Sequence, residues 1–137
     1  MNYLLDANAV IAMLNDARSA EARRARRYPV IEVGVSAIVV HELYFGAFKS
    51  ARATGNVALL NTMEFEIVDF NREDARHAAE IRAVLASRGT PIGPLDVLIA
   101  GQARARQLTL ITHNTAEFAR VPYLHIEDWS RARGKRR

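Results

Sequence analysis

Apolar and polar positions along this chain fall into blocks that read alternately as strand and helix. Tyr3-Leu4-Leu5 marks a short buried strand over residues 2–5, followed by a helix over 7–14. Residues 19–27 read as a second helix, and Val33-Gly34-Val35 as a second strand. Ser36 stands at an N-cap position before a helix running to about residue 50, whose apolar stripe is Val39, Val40, Leu43 and Ala47. A helix over 56–64, with Val57, Leu60 and Glu64 on one face, leads to a strand from Phe65 to Phe70. Asn71 caps the next helix with Asp74 at the capping-box position, and Ala75, Ala78, Ile81 and Leu85 belong to its core-facing side. Gly89 ends that helix, and Pro94 suits the first turn of another over 95–107. A strand over 108–112, a short helix over 115–119 and a strand over 123–126 complete the pattern. No hairpin dipeptide joins neighbouring strands. The alternation predicts a three-layer α/β domain: a central parallel sheet of about five strands flanked by helices.

Three acidic residues stand where apolar segments end. Asp6 closes Tyr3-Leu4-Leu5, Glu42 follows Ala37-Ile38-Val39-Val40-His41, and Asp96 follows Ile92-Gly93-Pro94-Leu95. Asn114 follows the strand-like Leu108-Thr109-Leu110-Ile111-Thr112 in the same manner. A carboxylate beside buried apolar surface carries a desolvation cost unless something positive compensates it. Taken singly, Asp6 could be only an N-cap, Asp96 a first-turn acid favoured by the helix dipole, and Asn114 a turn residue. Glu42 is harder to read as a cap, because it lies nearly two turns into its helix. The case for a site rests on their joint occurrence. In open α/β sheets, ligands bind outside the carboxyl ends of the strands, where Asp6 and Asn114 emerge. Oxygen ligands without His or Cys select hard cations, Mg²⁺ or Mn²⁺. Such a cluster suits metal-assisted hydrolysis of a phosphodiester.

Composition narrows the choice of partners. At 137 residues the chain is one domain, large enough for a core without disulfides. The absence of cysteine excludes thiolate metal sites. His41, His77, His113 and His125 show no HxxxH pairing and are read as surface or helix-flank residues. No apolar stretch reaches the ~20 residues of a membrane span, and nothing resembles a signal peptide, so a cytoplasmic protein is expected. The net charge is +4, but residues 131–137 alone hold five basic side chains; before them fourteen basic residues face fifteen acidic ones. The body is therefore nearly neutral, and the cationic excess is a tail that includes Arg133 and Arg136. A second basic group, Arg23, Arg24, Arg26 and Arg27, lies on the second helix. Arginine forks suit phosphate contacts, so both groups are candidate RNA-binding residues.

The same residues resemble the PIN-domain ribonucleases, and within them the VapC toxins of bacterial toxin–antitoxin pairs. Tyr3-Leu4-Leu5-Asp6-Ala7-Asn8 is similar to the family's opening LLDTN. Ser36 to Gly46, with Glu42-Leu43 inside it, resembles a segment in which Ser precedes Glu-Leu and Gly. Ile92-Gly93-Pro94-Leu95-Asp96-Val97-Leu98-Ile99-Ala100 is close to IGPxDxxIA, and Thr112-His113-Asn114 through Phe118 resembles the last block. The likeness covers roughly residues 2–130, giving a PIN domain over 1–130 and a separate basic tail over 131–137. It implies Mg²⁺ ligation by Asp6 and Asp96, with Glu42 completing the acidic cluster. It places Asn114 where many members carry a fourth acid, so a second metal is expected to be held more weakly. Ala7 replaces the usual Thr or Ser. The resemblance further implies an RNA substrate, a homodimer, and a VapB-like antitoxin that masks the active groove. The alternatives are a metal-dependent DNA nuclease and a nucleic-acid-binding regulator acting with a partner. A magnesium-dependent phosphatase is disfavoured because Asn8 stands where a second Asp would be needed.

Overall fold

The computed structural model describes residues 1–131. At its centre is a three-residue strand, β1 (Tyr3–Leu5), paired in parallel on both sides. Its neighbours are β2 (Val33–Ser36) and β4 (Thr109–Ile111). The edges are β3 (Glu66–Val68) and β5 (Ile126–Glu127), so the order is β3-β2-β1-β4-β5, all parallel. Leu4 stands between Gly34 and Leu110, and Leu5 between Val35 and Ile111. Leu4, Leu5, Val35 and Leu110 are wholly buried, as strands covered on both faces require.

Between the strands run α1 (Ala7–Asn15), α2 (Ala20–Ala25), α3 (Ala37–Phe48), α4 (Ala53–Asn61), α5 (Arg72–Ser87), α6 (Pro94–Ala105) and α7 (Thr115–Phe118). Local chemistry sets several of their ends. The Ser36 hydroxyl accepts from the Ile38 amide at 3.0 Å to start α3. Asn71 and Asp74 exchange both bonds of a capping box at α5, at 3.1 and 2.9 Å. Gly89, at φ +69°, closes that helix in a conformation glycine adopts without strain. Pro94 opens α6, where its missing N–H costs nothing.

Asp74 has a second task. It is almost fully buried, and Arg106 grips both of its oxygens at 3.1 and 2.9 Å while the Gln102 amide donates at 3.4 Å. Burial pushes its carboxyl up, but Arg106, the Asn71 amide and Gln102 outweigh that and hold it below the usual range. Arg106 also donates to the Asp69 carbonyl at 2.8 Å, tying the entry of α5 to the end of α6. The two helices meet backbone to backbone. A Cβ on Gly101 would stand 2.5 Å from the Ala78 Cα and Cβ.

Four expected spans shift. The helix expected over 56–64 is Ala53–Asn61: it runs through Gly55, and the Thr62 hydroxyl and amide both bond the Leu59 carbonyl and end it. Glu64 therefore lies outside it. The arginine helix is shorter than 19–27, because Ser19 is its N-cap, accepting from the Ala22 amide at 3.1 Å. The last strand begins at Ile126 and not at 123, since Tyr123 has φ +64° and interrupts extension. The strand expected over 65–70 keeps only Glu66–Val68 in register with β2. A 3₁₀ turn over Val30–Glu32 was not expected; it follows Pro29, whose carbonyl accepts from the Glu32 amide at 2.9 Å. Among the described residues, no helix is long and apolar enough to cross a membrane.

Gly101→Ala tests the helix crossing. Helix propensity alone would stabilise the protein by about 1 kcal/mol. The clash with Ala78 should instead cost about 1–3 kcal/mol, seen as a lower denaturant midpoint. An unchanged or higher midpoint would show that α5 and α6 can part freely.

Candidate active site

Parallel pairing brings the carboxyl ends of all strands to one edge, and the predicted residues lie along it. Asp6 follows β1 directly; its amide donates to the Ile111 carbonyl at 3.0 Å, fixing it against the end of β4. Its Oδ1 accepts from the Ala9 amide at 2.8 Å, so the N-cap reading is correct as far as it goes. Burial is the main influence on Asp6 and pushes its carboxyl up. The Thr112 hydroxyl and the Ala9 amide oppose this, and the charge of Asp128 adds to it.

Glu42 comes from α3 and is half-buried, with Oε1 shielded from solvent and without any hydrogen-bond partner. Its carboxyl is pushed up by burial and then by the charge of Asp6. Asp96 lies in the first turn of α6 and is the most perturbed of the three, raised to about 6. Burial comes first among the causes, followed by the charges of Glu117, Glu42 and Asp6. The absence of a side chain at residue 93 belongs to this arrangement, because a Cβ there would stand 3.0 Å from Asp96 Oδ2.

The charge of Asp6 is felt at Glu42, and the charges of both are felt at Asp96, so three acids spread over ninety residues of sequence share the carboxyl edge. Asp74 shows what compensation by a cationic side chain looks like in this protein, and among the described residues none of the three has an ion-pair partner. An orphaned buried oxygen, raised carboxyls and a donor set of oxygens alone fit a hard divalent cation. The fit is incomplete as the side chains stand: among the described residues, no three acidic or histidine side chains close into a cage. That suits an ion which binds through one or two carboxylates and keeps most of its waters.

A fourth acid, Glu117, went unassigned in the sequence. After burial, its charge is the largest influence pushing Asp96 up, and its Oε1 accepts from the Gly93 amide at 3.4 Å. Its signal was present in Asn114-Thr115-Ala116-Glu117, where the acid follows the expected polar residue by three positions on α7. Asn114 itself is exposed at the N-cap of α7; its side chain makes no capping bond, and its amide donates to the Thr112 hydroxyl at 2.9 Å.

The expected RNA-binding arginines divide. Arg23, Arg26 and Arg27 are exposed, Arg26 bonding the Ala17 carbonyl at 2.8 Å. Arg24 has turned inward: it pairs with Glu127 at 3.4 Å, bonds the Tyr28 hydroxyl and lies over the buried Trp129 ring at 5.4 Å. Its guanidinium secures α2 to the C-terminal segment and is not free for a phosphate. Residues 132–137, with Arg133 and Arg136 of the basic tail, lie outside the described residues.

The PIN domain family model matches residues 3–123. The tRNA(fMet)-specific endonuclease VapC of Salmonella typhimurium is 35% identical over 131 residues, spanning 94% of this chain and 98% of that protein. The protein of the same name from Shigella flexneri is 36% identical over 132 residues, or 95% and 99% of the two chains. Among solved structures, DNA-bound VapBC from Salmonella typhimurium superposes with a TM-score of 0.88 at 35% identity, covering 94% of this chain and 98% of that one. VapBC2 from Rickettsia felis, bound to a DNA fragment from their promoter, gives 0.86 at 32% identity, covering 94% and 99%. Since sequence and backbone agree over nearly the whole length of both partners, the chain belongs to the PIN domain family, in its VapC branch.

Proposed function

We propose that this chain is a Mg²⁺-dependent endoribonuclease, the toxin of a VapBC-type pair, with Mn²⁺ as an alternative ion. The observation that carries the reading is the group of carboxylates pushed up by burial, Asp6, Glu42 and Asp96, in a chain whose relatives are ribonucleases. Asp6, Glu42 and Asp96 would hold the ion, the unpartnered Glu42 Oε1 turning from an energetic cost into a ligand. Bound there, the ion supplies Lewis-acid charge that activates water and offsets charge developing on phosphate. Glu117, whose charge bears on Asp96, would add a further oxygen to the acidic group, and Asn114 would orient water or a phosphate oxygen at the rim. Exposed Arg23, Arg26 and Arg27 draw in the RNA backbone. Single-stranded or looped RNA fits best, because its bases can be splayed outward, and the tRNA(fMet) named for two relatives is the first substrate to test.

An antitoxin of the VapB kind has a surface to occupy. A groove of about 370 Å³ between α1, α3 and α4 is walled by Ile11, Leu14, Leu43, Leu59 and Leu60 and has Glu42 in its lining. Leu14 also lines a second apolar hollow of about 350 Å³. A partner segment laid along them would end over the acids and block the site. Phe45 and Phe48, both exposed on α3, offer an apolar patch to a second copy in a homodimer. The two DNA-bound VapBC complexes favour an additional role for the assembled pair in DNA binding. Cleavage of labelled RNA and DNA by the isolated chain in Mg²⁺ separates a ribonuclease from a DNA nuclease and from a purely binding regulator.

Asp96→Asn should abolish cleavage and, in metal-free protein at neutral pH, raise the melting temperature. The sign follows from its folded-state value of about 6 against 3.8 for the ordinary side chain. Ionising Asp96 penalises only the native state, and the penalty grows between those two pH values and is constant above them. The gain in melting temperature should thus be complete above pH ~6 and vanish toward pH ~4. A pH-independent gain would assign it to packing. Glu42→Gln preserves volume and helix propensity, so it should lower kcat by about a hundredfold or more, given the usual weight of such groups, with little change in denaturant midpoint. Near-normal turnover would remove Glu42 from the chemistry.

The groove is tested at its rim. Ile11 and Leu59 are each 42% exposed, so Ile11→Asp and Leu59→Asp should leave the fold intact. Each should weaken binding of a cognate VapB-like antitoxin by about tenfold, equivalent to about 1.4 kcal/mol. Unaltered calorimetric affinity for both variants would place the antitoxin elsewhere.

A further inference from the structure

His113 leaves the end of β4 at the same carboxyl edge, and its side chain is 69% exposed. It is nevertheless held. Its Nδ1 lies 3.1 Å from Asp128 Oδ2 and 3.1 Å from the Ser130 hydroxyl. Asp128, whose side chain is only 16% exposed, is fixed in turn: its Oδ1 accepts from both the amide and the hydroxyl of Ser130. Arg131 adds a positive charge 3.8 Å from Oδ2. Burial pushes the Asp128 carboxyl up, but Ser130 and His113 outweigh this and hold it below the usual range. Asp128 is therefore an acceptor, and the network assigns the hydrogen of the ring to Nδ1. In a neutral imidazole the other nitrogen then accepts. Nε2, on the far side of the ring, has no partner among the described residues and faces away from Asp128.

Position gives this acceptor a meaning. β1, β4 and β5 are consecutive in the sheet, and Asp6, His113 and Asp128 follow their respective ends. Adjacent strands stand about 4.8 Å apart, and the charge of Asp128 reaches Asp6. An RNA strand with its reacting phosphate over the acids and its chain running along this edge would pass a neighbouring nucleotide by His113. A phosphate has no hydrogen to donate to Nε2. A ribose 2′-hydroxyl has one, and DNA lacks it.

We propose that His113, oriented by Asp128 and Ser130, accepts a hydrogen bond from the 2′-hydroxyl of a nucleotide flanking the cut, and so selects RNA over DNA. This rests on the nuclease reading above. The test compares wild type and His113→Ala on an RNA oligonucleotide and on two versions with a single 2′-deoxy substitution, one on each side of the mapped cut. In wild type, one of the two deoxy substitutions should lower kcat/KM about fivefold, the size of a single neutral hydrogen bond. His113→Ala should lose a similar factor on the all-ribose strand and nothing more on that deoxy strand. Its exposed position keeps the fold out of the comparison, which circular dichroism and the melting temperature verify. Equal losses for His113→Ala on ribose and deoxy strands would overturn the proposal, because His113 would then act on something other than the 2′-hydroxyl. No loss on the ribose strand would also overturn it. Failure of wild type to cut any RNA in Mg²⁺ would instead remove the nuclease reading, and this inference with it.

Discussion

Parallel pairing of the three-residue strand β1 with neighbours on both sides is the constraint on which everything else depends. It holds Leu4 and Leu5 in the driest part of the molecule and delivers the next residue, Asp6, to the carboxyl edge. The same pairing aligns the ends of β2 and β4, so Ser36 starts α3 and Thr112 turns toward Asp6 from the other side. Because every strand points the same way, residues far apart in sequence leave the sheet along one line. A single antiparallel strand would have sent its own end to the opposite edge.

Two aspartates, one buried and one half-buried, show how differently this chain treats negative charge. Asp74 is nearly inaccessible, yet Arg106, Gln102 and the Asn71 amide satisfy it and favour its ionised form. Asp96 has acids for neighbours, and its ionised form is disfavoured. Low dielectric acts on both, and only the partners differ. The first arrangement stiffens the junction of α5 and α6. The second leaves unspent electrostatic repulsion at the edge of the sheet, which a cation would relieve. Concentration of perturbed acids in one place is a common mark of a functional site.

The half of the molecule away from the acids is anchored by ordinary packing. Tyr3, Tyr28 and Trp129 form a cluster with ring centroids 4.7–5.7 Å apart, and Arg24 covers it. Trp129 is fixed by Glu127, and its neighbour Asp128 reaches the functional edge. The segment after β5 thus does two things at once: Asp128 holds His113, and the next residue, Trp129, closes the core.

Much of the architecture was legible in the sequence, because period and caps are local properties. Alternating blocks without hairpin dipeptides specified a parallel α/β sheet, and Asn71, Asp74, Gly89 and Pro94 marked helix ends that the structure keeps. Asp6, Glu42 and Asp96 stood out because each is an acid against apolar sequence, and desolvation makes that pattern conspicuous. Helix and strand limits near Gly55, Thr62 and Tyr123 shifted, since a hydroxyl bond to a carbonyl or one residue at positive φ decides them. Tertiary structure alone decided which charges are spent and which are free. Nothing in the run of arginines distinguishes Arg24, which turns inward onto Trp129, from Arg23 and Arg27, which do not. Likewise the roles of Glu117 and His113 depend on contacts with Asp96, twenty-one positions earlier, and Asp128, fifteen later. Periodicity reports how a residue meets its own element; pairing across elements appears only once the sheet has brought them together.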